Sequence, residues 1–284
     1  MRTVAIVGVG LIGASFGLAL RKSGFAGPIL GVSSEPAIEA ALSAGAISGS
    51  ATLKEASGCA DLIYLAQPVD RILETIRLLA ALFSGQPSRE ILITDAGSTK
   101  TAIVQAAVLH LRHVRFDVRF IGGHPMAGKE TRGAQSADAD LFRNRPYVLT
   151  SDLEQVPQDF RSLLHSIGAN VLTMTPEEHD ATVALTSHLP QLISTALAGF
   201  LGKQTQPQIQ QVFGSGLLDM TRLALSPVDL WASILATNKG NVSRALDLYA
   251  NELLNLRKLI DKDDLGEVFL EAAAFSRTLR KLDN

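Results

Sequence analysis

The sequence predicts an α/β fold: a doubly wound, mainly parallel sheet over residues 1–175, followed by an all-α domain over residues 176–284. Three observations predict it. Short β-branched runs alternate with helical periodicity through the first half. Most of those runs are apolar throughout, as strands covered by helices on both faces must be. Beyond Thr175-Pro176 the strand-like runs stop and apolar residues recur at steps of three and four.

Strands are read at Thr3 to Val7, Pro28 to Val32, Asp61 to Leu65, Glu90 to Thr94, Arg119 to Gly122 and Pro146 to Thr150. Between them, Leu11 to Lys22, Val69 to Phe83 and Thr99 to Leu111 place apolar side chains on one face of a helix. A helix over Gln158 to Ser166 and a strand over Asn170 to Met174 extend the same sheet up to the boundary. In the second half Val242, Ala245, Tyr249, Leu253, Leu256 and Ile260 line one face of a long amphipathic helix. A last helix is framed by Asp263 and Asp264 ahead of it and by Arg277, Arg280 and Lys281 at its end, charges that complement its dipole.

At 284 residues, 46% hydrophobic and 19% charged, the chain can bury a sizeable core without metals or disulfides. A net charge of -2 and the lack of a basic run exclude a nucleic-acid surface. The single cysteine, Cys59, can form neither an internal disulfide nor a thiolate metal site and is read as a small buried residue. No apolar run reaches the roughly 18 residues of a membrane span. The first residues lack the pattern of a signal peptide, so a cytoplasmic location is expected.

Gly8-Val9-Gly10-Leu11-Ile12-Gly13 follows the first strand and opens the first helix, the context in which G-x-G-x-x-G binds a dinucleotide. Gly8 permits the turn, Gly10 lets the backbone approach the pyrophosphate, Gly13 lets helix and strand pack, and the amides from Leu11 and Ile12 onward face the phosphates. A Rossmann-type domain is therefore expected. At the end of the second strand, where an acid would hold the adenosine ribose, the chain has Ser33 and Ser34. Hydroxyls there do not repel a 2′-phosphate, so NADP is preferred, with NAD, held through Glu35, as the alternative. Gln67 and Pro68, after the third strand, either border the cofactor or simply end the strand in a turn.

Further segments after strands are rich in reactive groups: Asp95-Ala96-Gly97-Ser98-Thr99-Lys100, and Gly122 to Glu130 around His124. The second half opens with Glu178-His179-Asp180 and Thr186-Ser187-His188-Leu189-Pro190-Gln191, and later carries Asp219-Met220-Thr221-Arg222 with Trp231 downstream. Histidine titrates near working pH and suits general-base work, an arginine fork suits a carboxylate, and no cluster with divalent-metal spacing is present. Ser98 either contacts a ligand or caps the helix that follows, and Lys100 reads as a solvated first-turn residue.

With the strings D-x-G-S-x-K, G-G-H-P-M-A-G and S-H-L-P in this order along nearly the whole chain, the sequence resembles the prephenate and arogenate dehydrogenase family. The resemblance implies an oxidoreductase of tyrosine biosynthesis. Such an enzyme passes hydride from a cyclohexadienol to NAD(P) and releases CO2, giving 4-hydroxyphenylpyruvate from prephenate or tyrosine from arogenate. It implies that His124 accepts the proton of the ring hydroxyl, that Ser98 orients that hydroxyl, and that Arg222 binds substrate carboxylate. Ser187, His188 and Gln191 match substrate-contacting positions, and His179 a supporting one that can equally anchor a helix. Many relatives have histidine at the position of Gln191, which leaves the choice between prephenate and arogenate open. The family also implies a homodimer formed through the helical domain, and neither a regulatory nor a mutase domain is expected. A β-hydroxyacid dehydrogenase would share the cofactor half but use a lysine where this chain offers His188, and a non-catalytic dinucleotide-sensing module would need no polar residues at the strand ends.

Overall fold

The computed structural model describes residues 1–84, 89–114 and 117–282, without the side chains of 281 and 282, so the charge read at Lys281 lies outside the described residues. The chain begins β1 (Val4–Val7), α1 (Leu11–Lys22), β2 (Ile29–Val32), α2 (Glu35–Ser43), β3 (Gly49–Ser50), α3 (Leu53–Cys59) and β4 (Leu62–Leu65). There follow α4 (Val69–Phe83), β5 (Glu90–Asp95), α5 (Thr101–Leu111), β6 (Asp117–Ile121), β7 (Gly123–Pro125), β8 (Pro146–Leu149), α6 (Gln158–Ser166) and β9 (Asn170–Thr173). Six strands form one parallel sheet in the order β3-β2-β1-β4-β5-β6, so the direction of winding reverses between β1 and β4. Ligands of such sheets bind outside the carboxyl ends of the strands at that reversal.

Alternation along the strands feeds two cores. From β1, Val4 and Ile6 join Phe16, Leu20 and Tyr64 on one face, and Ala5 and Val7 join Ile72, Ile76 and Phe83 on the other. All are buried, as a parallel sheet covered on both faces requires.

Two expectations are corrected here. Asn170–Thr173 does not extend the main sheet: β7, β8 and β9 form a separate three-stranded sheet, with β8 antiparallel to β7 and parallel to β9. The chain leaves β6 at Gly122, where an added Cβ would lie 2.4 Å from Thr150 Oγ1, and re-enters as β7, which recruits β8. Cys59 is exposed rather than buried, because it closes the short helix α3 instead of entering β4.

The second half is helical: α7 (Pro176–Val183), α8 (Leu189–Leu201), α9 (Ser215–Thr221), α10 (Val228–Thr237), α11 (Lys239–Ile260) and α12 (Gly266–Leu282). A capping box starts α7, with the Thr175 hydroxyl accepting from the Glu178 amide and the Glu178 carboxylate accepting from the Thr175 amide. Residues Ala184–His188 form a π turn between α7 and α8, an irregularity frequent at functional sites. By compactness the chain divides into Met1–Lys239 and Gly240–Asn284. In the latter unit Leu253, Leu254, Ile260, Phe269, Leu270 and Phe275 are exposed. No helix among the described residues is long and apolar enough to cross a membrane.

Candidate active site

The glycine string occupies the reversal point. Gly8 has φ +91°, and an added Cβ would lie 2.7 Å from the Ala66 carbonyl oxygen and 2.8 Å from Gln67 Cγ, so the turn after β1 and the end of β4 touch through a bare backbone. A Cβ on Gly13 would lie 2.0 Å from the Gly8 carbonyl oxygen, which is why α1 can start so close to β1. Around Gly10, in contrast, the space is open. No side chain caps α1 and no acid sits in its first turn, so its positive end is available to an anion. These features fit a dinucleotide pyrophosphate. Ser33, Ser34 and Glu35 are all exposed at the carboxyl end of β2. Gln67 accepts a hydrogen bond from Thr75 on α4 (2.8 Å), and Pro68 starts that helix.

Lys100 is not a solvated residue. It is fully buried, with Nζ donating to Asp95 Oδ2 at the end of β5 and to the Gly123 carbonyl (2.7 Å). Asp95 in turn accepts from the Gly123 amide through Oδ1 (3.0 Å) and from the Gly97 amide through Oδ2 (2.8 Å). The pair therefore grips both polar groups of Gly123 and fixes the strand that presents His124. Burial pushes Asp95 up and Lys100 down, each against the attraction of its partner.

His124 is half-buried, and its Nδ1 lies 2.8 Å from Nε2 of His179. The His179 Nδ1 is 2.8 Å from Asp180 Oδ1, and both residues are buried on α7. The Asp180 carboxylate accepts from the Lys100 amide (2.7 Å) and the Thr101 amide (2.9 Å), and so caps α5. That removes the capping alternative for Ser98, which stands half-buried three residues before α5 and makes no hydrogen bond to the described residues. Burial above all, with His179, Lys100 and His188 nearby adding to it, holds His124 well below the usual imidazole range. His124 is thus a neutral base at neutral pH.

His188 closes the π turn, buried against Trp231 (ring centroids 5.8 Å apart, at 85°). Asn238 Nδ2 donates to the Asp180 carbonyl (2.7 Å), which fixes the amide's orientation, and lies 3.3 Å from His188 Nδ1. That nitrogen is then an acceptor, and the His188 proton sits on Nε2. Burial lowers His188 to about 4, with Asp180 opposing and His179 assisting. Ser187 is half-buried in the same turn.

One turn into α8, Gln191 is 4% exposed and donates Nε2 to the Leu223 carbonyl (2.8 Å). Because that bond needs the amide nitrogen, Oε1 is fixed as an acceptor, and it has no partner among the described residues; nor has the donor Trp231 Nε1. Such orphans cost about 1–3 kcal/mol each unless a ligand or water meets them. Arg222, at the end of α9, is half exposed and pairs with Glu130 (2.5 Å), six residues beyond His124. Arg222 thus reaches the His124 segment through Glu130 rather than directly. An exposed pair of this kind contributes about 0–1 kcal/mol, so a carboxylate can replace Glu130 on the guanidinium.

The structure therefore brings together His124, His179 and His188, gives Asp95, Lys100 and Asp180 supporting places that the sequence had not assigned them, and adds Asn238, which sequence reading had passed over. A neutral acceptor, a hydroxyl, a carboxylate-binding cation and a dinucleotide cradle are the parts of an alcohol dehydrogenation site.

A family model described as prephenate dehydrogenase, nucleotide-binding domain, matches residues 16–173, and one described as prephenate dehydrogenase, dimerization domain, matches residues 175–273. The chain is 32% identical over 281 residues to a prephenate dehydrogenase of Bacillus subtilis (strain 168), covering 94% of this chain and 72% of the relative. Among solved structures it is similar to prephenate dehydrogenase from A. aeolicus in complex with hydroxyphenyl propionate and NAD+ (TM-score 0.83, 30% identity, 98% of each chain). It is also similar to Synechocystis arogenate dehydrogenase (TM-score 0.79, 30% identity, 99% of each chain).

Proposed function

The chain belongs to the prephenate dehydrogenase family, and from that premise we propose that it oxidises and decarboxylates the cyclohexadienol ring of prephenate or arogenate through His124, in the tyrosine branch of aromatic biosynthesis. The observation that carries this reading is His124 itself: a half-buried imidazole in line with His179 and Asp180, on a strand gripped by Asp95 and Lys100 and on a segment that Arg222 reaches.

When bound, NAD(P) supplies the hydride acceptor, and Gly8, Gly10, Leu11, Ile12 and Gly13 hold its pyrophosphate. His124 takes the proton of the ring hydroxyl as that carbon loses hydride and gains carbonyl character. Ser98 orients the same hydroxyl. The bond from ring to carboxylate then breaks, its electron pair enters the ring, and CO2 leaves as the ring becomes aromatic. Arg222 holds substrate carboxylate by exchanging its Glu130 partner for it, and His188, donating from Nε2, and Ser187 complete the polar contacts.

Substrate choice lies with Gln191. Its unpaired Oε1 is an acceptor held in place by Leu223, and it favours the ammonium side chain of arogenate over the keto side chain of prephenate. Cofactor choice lies with Ser33 and Ser34, whose hydroxyls favour NADP over NAD. Following nucleotide reduction with prephenate, arogenate and several β-hydroxyacids, each with both cofactors, tests all three assignments. Turnover of arogenate above prephenate with NADP is expected, and Gln191→Ala narrows the gap between the two ring substrates. Turnover of hydroxyacids alone contradicts the activity, and a strong preference for NAD contradicts the cofactor assignment.

We also propose the division at residues 175–176 as the boundary between cofactor and substrate domains, a cytoplasmic location, and a homodimer through the helical part. Exposed Leu253, Leu254, Phe269, Leu270 and Phe275 on α11 and α12 support the dimer, since a second copy would cover them. Light scattering at micromolar concentration should give the mass of two chains; the mass of one chain contradicts it.

A further inference from the structure

His124, His179 and Asp180 stand in file, each 2.8 Å from the next. We infer that His179 and Asp180 are positioning residues that set the tautomer of His124, leaving on its Nε2 the lone pair that takes the substrate proton. Burial pushes Asp180 up, but the hydrogen bonds from His179 and from the Lys100 and Thr101 amides outweigh it and hold the group below the usual carboxylate range. An ionised carboxylate only accepts, so His179 Nδ1 must carry a proton. In the neutral form of that ring Nε2 is a lone pair, and the His124 Nδ1 facing it donates. His124 then has its own single proton on Nδ1 and is an acceptor at Nε2.

A neutral His179 cannot take the reversed order. If His179 Nε2 carried the proton, Nδ1 would meet Asp180 lone pair to lone pair, and His124 would be a donor at Nε2, unable to take a proton. The file also serves the step after transfer: a doubly protonated His124 keeps donating Nδ1 to His179, so no hydrogen bond has to turn over, and the Asp180 charge offsets the new cation. Asp180 can hold this alignment because it is pinned from three sides, by the amides of Lys100 and Thr101 and by Asn238 on its carbonyl. The same carboxylate thus caps a helix of the sheet region and orders a base on β7.

Three variants and one spectrum test it. Nitrogen-15 histidine spectra of the wild-type enzyme should show His124 protonated at Nδ1 and His179 protonated at Nδ1 alone. His179→Gln keeps an acceptor for His124 Nδ1 and should retain kcat within about tenfold, whereas His179→Leu and Asp180→Asn should lower kcat by about 10²–10⁴ with KM and nucleotide affinity little changed. A wild-type His124 protonated at Nε2 overturns the inference, as does equal loss in the Gln and Leu variants, which would mark His179 as packing only. Should Asp180→Asn fail to fold for want of its helix cap, the Gln and Leu pair decides. The kinetic arm rests on the dehydrogenase reading, but the spectra need no turnover. An inactive wild type with the expected tautomer therefore overturns that reading and leaves the file standing.

Discussion

His124→Asn lowers kcat by about 10²–10⁴ while the fold and nucleotide binding persist. An asparagine fits the space beside His179 but offers no basic nitrogen to the ring hydroxyl, so hydride transfer would have to proceed towards a protonated carbonyl. The size of the effect follows from the site: Ser98 can orient the hydroxyl but cannot accept its proton at neutral pH, and the base within hydrogen-bond reach of His124, His179, lies on its Nδ1 side. The wild type has a matching pH dependence. A base held below its ordinary value stays competent until the pH falls below that lowered value. kcat/KM should therefore remain level through the ordinary imidazole range near pH 6.5 and decline only in more acid solution. Near-normal turnover of the variant, or a wild-type acid limb centred near pH 6.5, contradicts the role given to His124.

Lys100→Met destabilises the protein by about 3–5 kcal/mol, the range found when one partner of a buried ion pair is removed. Methionine matches the length of the lysine stem but leaves Asp95 charged, fully buried and held only by two amides, those of Gly97 and Gly123. The same change frees the Gly123 carbonyl, so β7 loses its anchor and kcat falls together with stability. Adding Asp95→Asn removes the stranded charge and should recover part of the stability, though not the activity, because the grip on Gly123 stays incomplete. Chemical denaturation of the wild type and the two variants checks this. A single Lys100→Met change costing under about 1 kcal/mol would mean that the pair contributes little.

Much of this architecture was legible from residue pattern. The helices Leu11–Lys22, Val69–Phe83 and Gln158–Ser166 carry strong periodicity between clear punctuation, and the structure has them with those ends. Of the elements that escaped, α2, α8 and α10 among them, the shortest carry no repeat to read. β7 spans three residues, β3 two, and α3 seven, too few for any period to repeat, although the Thr52-x-x-Glu55 capping box marks where α3 begins. Missing β7 is what misplaced β9, since the second sheet has no nucleus without it.

The site was legible by type more than by environment. D-x-G-S-x-K marked a place for chemistry, yet a lysine ahead of a helix is ordinarily solvated, and only in the fold does Asp95, five residues earlier on the end of β5, draw Lys100 inside. Asp180 was visible beside His179 but acquires meaning only when α5 arrives from far away in sequence to be capped by it. Asn238 carries no local signal, for its partners Asp180 and His188 lie fifty or more positions upstream. Arg222 shows the converse: its motif pointed to a carboxylate-binding cation, and the structure has it half exposed and held by Glu130.

A crystal structure of the protein with oxidised nucleotide and a phenol-bearing product analogue tests the central claim most directly. The account predicts the ring oxygen within about 3 Å of His124 Nε2 and beside Ser98, with His124 Nδ1 still on His179 and the ring carbon that bears the oxygen facing the nicotinamide. A ring oxygen bound elsewhere, with His124 beyond hydrogen-bond reach of it, would contradict the account.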